Sequence, residues 1–400
     1  MKTIAIDASR AIRKHKTGVE WYAYRLLGAL AKVAPGEWKV ELLVDRPVGE
    51  SGEWRVDSGS TSDPLSTIHY PLPNTWSFVL LKWPPRFLWS QIRLAVRLLR
   101  TRPSLYFSPV HVLPFFATNP SVVTIHDVDY MRHPEAYSWK GRNYLKLTTW
   151  WAVRRATRIM TPSEASKNDL VRYFGCDPAK IRVTPLAPMV VGEASSESPV
   201  ASGPESTVGL LATGYSQLAS TSPYFLFVGR LETKKNAVRI VEAFAKVAGE
   251  MPEVKLILVG RAGRGYEAVK AAIEATELGE RIVETGWLPG EEVTALIKNS
   301  IALMFPSLAE GFGIPVLDGF ALGVPVVTSR GIATEEVAGE AALLVDPHSV
   351  EEIAEAMRKL QHDPSIRESY VKKGTERLKD FSWEKTARMT VEVFREILGR

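Results

Sequence analysis

The chain has 400 residues, 45% hydrophobic and 24% charged, as in ordinary soluble globular proteins; this length exceeds what one core usually serves, so two domains are expected. Its one cysteine, Cys176, excludes an intramolecular disulfide and a cysteine-based structural zinc site, and suits a reducing compartment such as the cytosol. The formal charge of +5 favours an anionic ligand or surface, which nucleic acid, phosphorylated metabolites and acidic lipid satisfy equally.

Met1 to Asp7 holds an apolar run too short for a signal peptide and reads as a first strand, and no later run is long and apolar enough to cross a bilayer. The expectation is a soluble, cytoplasmic chain, attached at most to the inner membrane surface. Strand-like Thr3 to Ile6, a helix from about Val19 to Val33, and strand-like Trp38 to Val44 and Val122 to Ile125 alternate, which implies βαβ units and a parallel sheet.

Positions 64–126 carry no acidic residue, while Lys82, Arg86, Arg93, Arg97, Arg100 and Arg102 are interleaved with Trp76, Trp83, Phe87 and Trp89. Arg93, Arg97 and Arg100 fall on one helical face. The segment 76–102 is therefore expected to present a basic, aromatic-flanked surface suited to an anionic membrane, with a solvated helix, single-stranded nucleic acid and partial burial in the core as alternatives. Further on, "VVTIHDVDY" ends a strand at His126 and Asp127, and Asp127 and Asp129 form a D-x-D, a pattern that can bind a hard cation through carboxylate oxygens. A lone His at a strand end is by itself more often structural.

From Val191 to Ser222 the composition shifts to Ser, Gly, Ala, Pro and Glu, which reads as a linker or mobile loop. The domains expected are 1–190 and 223–380, separated by 191–222 and followed by a terminal helix, 381–400. In the second domain Tyr224 to Val228, Val254 to Val259, Ile301 to Phe305, Val324 to Thr328 and Ala342 to Val345 look like strands buried on both faces. Chemistry is expected in the cleft between the two domains. In the tail, Trp383, Ala387, Val391, Phe394 and Leu398 recur at spacings of three and four and form one apolar stripe. It packs either on its own domain or back on the first.

Two segments carry the chemistry. In "FVGRLETKKN" an apolar run stops at Gly229 and releases Arg230, Lys234 and Lys235 into one short loop. At the carboxyl end of a parallel strand that loop suits an anion, and alone it reads equally as a solvated basic turn. In "SLAEGFGIPVLDGFALGVPVVTS" a strand leads to Glu310, with Gly311 and Gly313 around Phe312, and then a helix opening at Ile314 with Pro315 in its first turn and Gly323 after its end. Such a helix start offers N–H groups and partial positive charge to a phosphate. Glu310 and Asp318, eight positions apart, are expected to border one pocket, though an ordinary strand-loop-helix has the same pattern.

"EGFGIPVLDGFALG" resembles the signature helix of the retaining nucleotide-sugar glycosyltransferases of the glycogen-synthase and bacterial mannosyltransferase type, group 1, family 4. "FVGRLETKKN" resembles their diphosphate clamp, and "TGWLPGEEVTALIKNS", "ATEEVAGEAALLVDP" and "TPSEASKNDLVRYFGCDPAKIRVTP" are similar to family segments in sequence and order. The resemblance implies a GT-B fold, two Rossmann-like α/β domains facing across a cleft with the last helix crossing back to the first.

It further implies that Arg230 and Lys235 hold the leaving diphosphate, that Glu310 orients sugar hydroxyls, and that His126 touches the transferred sugar from the opposite domain. Donor contacts are implied at Gly18, Asp127, Gly229, Trp287, Leu288, Gly311, Phe312, Gly313, Ile314 and Asp318. The family often has a small residue after Gly18, where this chain has Val19, Glu20 and Trp21, and usually Glu where this chain has Asp318. A core role accounts equally well for Trp287.

No cofactor or metal is implied, since the cationic clamp replaces it. The implied substrates are a GDP- or UDP-sugar, mannose favoured, and a carbohydrate or lipid-linked acceptor in polysaccharide, lipopolysaccharide or glycolipid synthesis; nucleic acid is not. A nucleotide-sugar epimerase of similar fold and a non-catalytic sugar- or polyanion-binding protein are the competing readings.

Overall fold

The structure is a computed structural model that describes residues 1–13, 16–47, 72–83, 88–116, 120–190 and 222–399. The linker expected over 191–222, apart from Ser222, lies outside them, as do Arg86 and Phe87. The chain divides into two compact units, Met1–Pro134 with Ser138–Ala187 and Phe381–Arg400, and Glu135–Tyr137 with Pro188–Asp380.

Each unit is built on a parallel sheet. In the first, β1 (Lys2–Asp7), β2 (Trp38–Val44), β3 (Trp76–Leu80), β4 (Leu105–Ser108), β5 (Ser121–Thr124), β6 (Arg158–Thr161) and β7 (Ile181–Val183) lie in the order β3-β2-β1-β4-β5-β6-β7. In the second, β8 (Tyr224–Val228), β9 (Lys255–Val259), β10 (Ile282–Gly286), β11 (Ala302–Phe305), β12 (Val326–Ser329) and β13 (Leu343–Val345) lie in the order β10-β9-β8-β11-β12-β13. All of these pairings are parallel. The central strands are buried throughout and mostly apolar, as expected where helices cover both faces: every residue of β4 and β11 is buried.

The strand order reverses at β1/β4 in one sheet and at β8/β11 in the other. At such a point successive crossovers leave in opposite directions and open a crevice beyond the carboxyl ends of the two strands, where ligands of this architecture sit.

The terminal helix, Trp383–Leu398, belongs to the first unit, which decides between the two placements its stripe allowed. Trp383 packs beside Tyr22 of the helix Gly18–Val33, with ring centres 6.2 Å apart, and Phe394 lies 5.2 Å from Phe107 of β4. The Thr386 hydroxyl donates to the Pro185 carbonyl at 2.6 Å. Each large apolar side chain buried this way contributes about 1.5–3 kcal/mol, enough to hold an end that would otherwise fray.

The segment 76–102 is drawn partly into the core, one of the alternatives its pattern left open, while Leu88, Ile92 and Leu99 stay exposed. Trp76 and Trp89 are buried, the latter donating its indole N–H to the Leu81 carbonyl at 2.9 Å. Arg97 turns to the sheet and pairs with Glu41 of β2 at 2.8 Å, and Arg93 bonds the Lys82 carbonyl at 3.2 Å. The spacing is shared by a core-facing helix, and β2 supplies a carboxylate that local sequence does not reveal. Among the described residues no helix is long and apolar enough to cross a membrane.

Candidate functional site

The loops after β8 and β11 leave adjacent strands at the reversal point of the second sheet, and they are fastened together. The Leu308 amide donates to the Lys234 carbonyl at 2.8 Å. Asn236 is buried with φ 63°, a left-handed conformation that Asn tolerates better than most residues. Its side-chain amide donates to the carbonyls of Pro306 (2.8 Å) and Pro347 (2.7 Å), while Arg239 donates to its oxygen at 2.9 Å. This residue was not among the candidates. Its sequence signal is an Asn immediately before an apolar helical run, where a short polar side chain suits a helix start.

Between these fastenings Lys235 Nζ lies 2.5 Å from Glu310 Oε1, with both side chains largely buried. The ammonium also sits 5.2 Å from the centre of the Phe305 ring at the end of β11. Arg230 is different: its side chain is 63% exposed, and its nearest anion is Glu232 at 3.4 Å. One cation is held in place and the other is free to reach outward. The loop 230–233 in turn packs against the turn after β9, where Gly260 is required, because a Cβ there would meet the Gly229 carbonyl oxygen at 1.9 Å.

The helix after β11 runs from Ile314 to Ala321 with Pro315 in its first turn. Gly313 precedes it at φ 104°, and a Cβ there would lie 2.7 Å from the Thr334 methyl, so both backbone and packing demand glycine. Phe312 is buried beside it and anchors the tip. First-turn amides have no acceptor within their helix, and this helix starts just beyond β11, one of the two strands at the reversal point.

Asp318 has a role that its spacing from Glu310 did not suggest. Its Oδ1 accepts the amides of Met189 (2.7 Å) and Val190 (3.2 Å), so the carboxylate anchors the chain where it enters the second unit. Trp287, after β10, is 56% exposed rather than in the core, with the Arg261 guanidinium 5.5 Å from its ring centre, while Leu288 is buried. Gly229 closes β8, its amide bonding the Val259 carbonyl at 2.9 Å.

Gly18, His126 and Asp127 belong to the first unit. Gly18 opens the helix Gly18–Val33, and Glu20, two residues on, accepts the Thr17 amide at 3.1 Å and pairs with Arg10 at 3.0 Å. Burial would raise the Glu20 carboxyl, but bonds from Thr17 and the Arg10 charge outweigh it and hold it below the usual range. The Asp127 carboxylate accepts the Asp129 amide at 3.2 Å, a local turn. Among the described residues no group of three or more His, Cys, Asp or Glu side chains is placed to hold a metal.

His126 follows β5, buried, with the Tyr22 ring edge-on at 4.6 Å. Its Nε2 lies 3.2 Å from the Pro109 carbonyl, which only accepts, so Nε2 carries the proton and Nδ1 is left as an acceptor. Burial and then the neighbouring His111 bring its pKa from the ordinary 6.5 to about 4, so the ring is neutral at pH 7.

Comparison with known proteins agrees with this architecture. The profile of the family described as Glycosyl transferases group 1 matches residues 215–377, and that of Glycosyltransferase Family 4 matches 16–187. The chain is 28% identical over 292 residues to the O-antigen chain mannosyltransferase B of Escherichia coli, covering 73% of this chain and 74% of that protein. It is 29% identical over 255 residues to a D-inositol 3-phosphate glycosyltransferase of Kribbella flavida, covering 61% of this chain and 57% of that protein, less than two thirds of it. In fold it resembles a sucrose-phosphate synthase from Thermosynechococcus elongatus, with TM-score 0.71, 19% identity and 99% of each chain covered. It likewise resembles Anabaena HepE in complex with UDP and glucose, with TM-score 0.69, 18% identity, and 99% of this chain and 100% of that one covered.

Proposed function

Because the chain belongs to the group 1 glycosyltransferases, with the GT-B fold of two Rossmann-like domains, we propose that it moves a hexosyl unit from a nucleoside diphosphate sugar to an acceptor hydroxyl with retention of anomeric configuration. The observation that carries this reading is the convergence of Arg230, the Lys235–Glu310 pair and the glycine-bounded helix start at one reversal point of one sheet. Breaking the glycosidic bond puts negative charge on the departing diphosphate and positive character on the sugar ring. Preorganised cations and amides stabilise that charge where it develops. An Arg fork suits two phosphate oxygens and a Lys supplies a compact charge, so the two divide the work.

Glu310, held against Lys235, is assigned to the sugar hydroxyls. The diphosphate is assigned to protein cations, so chelators are expected to leave turnover unchanged. Mannose from a guanosine donor is the first choice, with the sugar alone supported by the name of the E. coli relative; a uridine donor is the second, supported by the UDP in the HepE complex. The acceptor is assigned to a carbohydrate or lipid-linked sugar.

The test is release of nucleoside diphosphate from GDP-mannose, UDP-glucose and UDP-N-acetylglucosamine, with and without chelator, followed by assignment of the product anomer. Release from one donor, with the anomer kept, is expected. Conversion of the donor to an epimeric sugar nucleotide without acceptor would establish an epimerase instead, and failure to bind any sugar nucleotide would remove the proposal.

A further inference from the structure

The helix Trp139–Arg155 is inside out. Its inward face is small and partly polar, burying Thr148, Thr149, Ala152 and Val153, with Thr149 accepting the Tyr130 hydroxyl at 2.7 Å. Its outward face carries the bulk: Trp139 is 69% exposed, Leu147 52%, Tyr144 47% and Trp150 42%. A helix that only packs on its own sheet has the opposite distribution. The charge is equally one-sided, since residues 136–163 contain six Lys and Arg and no Asp or Glu. Lys140, Lys146, Arg154 and Arg155 are exposed on the same outward side, with the Arg154 guanidinium 4.6 Å from the centre of the Trp150 ring.

We propose that this face docks on an anionic phospholipid bilayer, with the helix lying in the interfacial plane. Indole and phenol rings prefer the headgroup region, Leu147 reaches hydrocarbon between them, and the long cationic side chains extend to lipid phosphates. Charge selects this occupant over a second copy of the chain: a two-fold contact through this face would bring the same unpaired cations against each other. Shape selects it over single-stranded nucleic acid, which is held in a positively charged groove, whereas this is the convex side of a helix about 25 Å long. The proposal does not depend on the donor or on the reaction.

Co-sedimentation of the full chain with vesicles tests it. The protein is expected to pellet with vesicles of equal parts phosphatidylcholine and phosphatidylglycerol, less so as salt is raised, and to stay in solution with phosphatidylcholine alone. Lys140→Ala/Lys146→Ala is expected to weaken partitioning on the order of twentyfold, about fivefold for each charge. Trp139→Ser/Leu147→Ser/Trp150→Ser is expected to abolish it, with both variants melting as the parent because the altered side chains are exposed. Failure of the parent to pellet with the anionic vesicles, or pelleting of both variants like the parent, would overturn the proposal. So would a parent dimer that the triple variant converts to monomer, or capture of a single-stranded oligonucleotide in place of the vesicles.

Discussion

Lys235 and Glu310 stand 2.5 Å apart although 75 positions separate them, and the pair closes the gap between two neighbouring strand ends. With the site empty, the carboxylate is the counter-ion of the ammonium; with a diphosphate bound, the ammonium is shared. Lys235→Ala is therefore expected to weaken GDP or UDP binding ten- to a hundredfold, the loss of one charge-assisted contact of about 1.5–3 kcal/mol. It also leaves the Glu310 carboxylate largely buried without its cation, so the variant is expected to melt lower. Glu310→Gln removes a competitor for the ammonium and is expected to bind the nucleotide at least as tightly while transferring sugar more slowly. Calorimetry with the nucleotide alone, beside turnover, separates the two; equal losses of affinity in both variants would refute the division of roles.

Arg230 offers the cleaner separation of binding from stability. Its side chain is mostly exposed and its one ion pair is long, so Arg230→Ala is expected to change stability by less than about 0.5 kcal/mol. Its nucleotide affinity is expected to fall ten- to a hundredfold. Denaturant unfolding and calorimetry on the same preparation check both halves. A variant with parental affinity would show that the guanidinium serves the solvent rather than the diphosphate.

Asn236 tests whether the loops must be fastened. Asn236→Ala strips the buried Pro306 and Pro347 carbonyls of their donor and leaves a residue with a Cβ at φ 63°. A loss of about 2–4 kcal/mol is expected from the two effects together. Asn236→Gly removes the backbone strain but not the missing bonds, so it is expected to recover part of the stability and little of the nucleotide affinity. Full recovery of affinity in the glycine variant would show that the loops hold their positions without the side chain.

His126 gives stability a pH dependence of definite sign. The folded imidazole takes a proton only near pH 4 and the unfolded one near 6.5, so between these values the unfolded chain binds more protons. Stability contributed by the neutral ring is complete above about pH 6.5 and is lost as pH falls toward 4, by on the order of 3 kcal/mol. His126→Gln, which keeps a donor for Pro109, is expected to flatten the slope across this window. Urea unfolding of parent and variant from pH 4 to 7 measures the difference, and parallel curves would mean that the ring titrates as if exposed.

Much of the fold was legible because apolar periodicity is local. β2 and β8 occupy the residues expected of them, and β11, β12 and β13 begin within two residues of their expected starts. The glycine-bounded helix was legible for a similar reason, since Gly313 and Pro315 express backbone requirements at their own positions. β6 and β7, of four and three residues, are too short to show a period, and β10 is half-buried and so lacks the continuous apolar run.

Partner choice was not legible, because a side chain's hydrogen bonds and charges are satisfied by whatever the fold brings near. The pattern of Trp76, Trp89 and Arg97 is compatible with a surface until Glu41 and the sheet are in place. Nothing in the sequence around Asp318 announces that its carboxylate accepts the amides of Met189 and Val190, 128 and more positions away. Sequence by itself determined two parallel-sheet domains, a cationic loop and a helix start fit for an anion. Tertiary structure decided that Lys235 meets Glu310, that Asn236 ties the loops, and that bulky residues of the helix Trp139–Arg155 face outward. Those outcomes depend on which strands become neighbours, and strand order is a property of the whole chain.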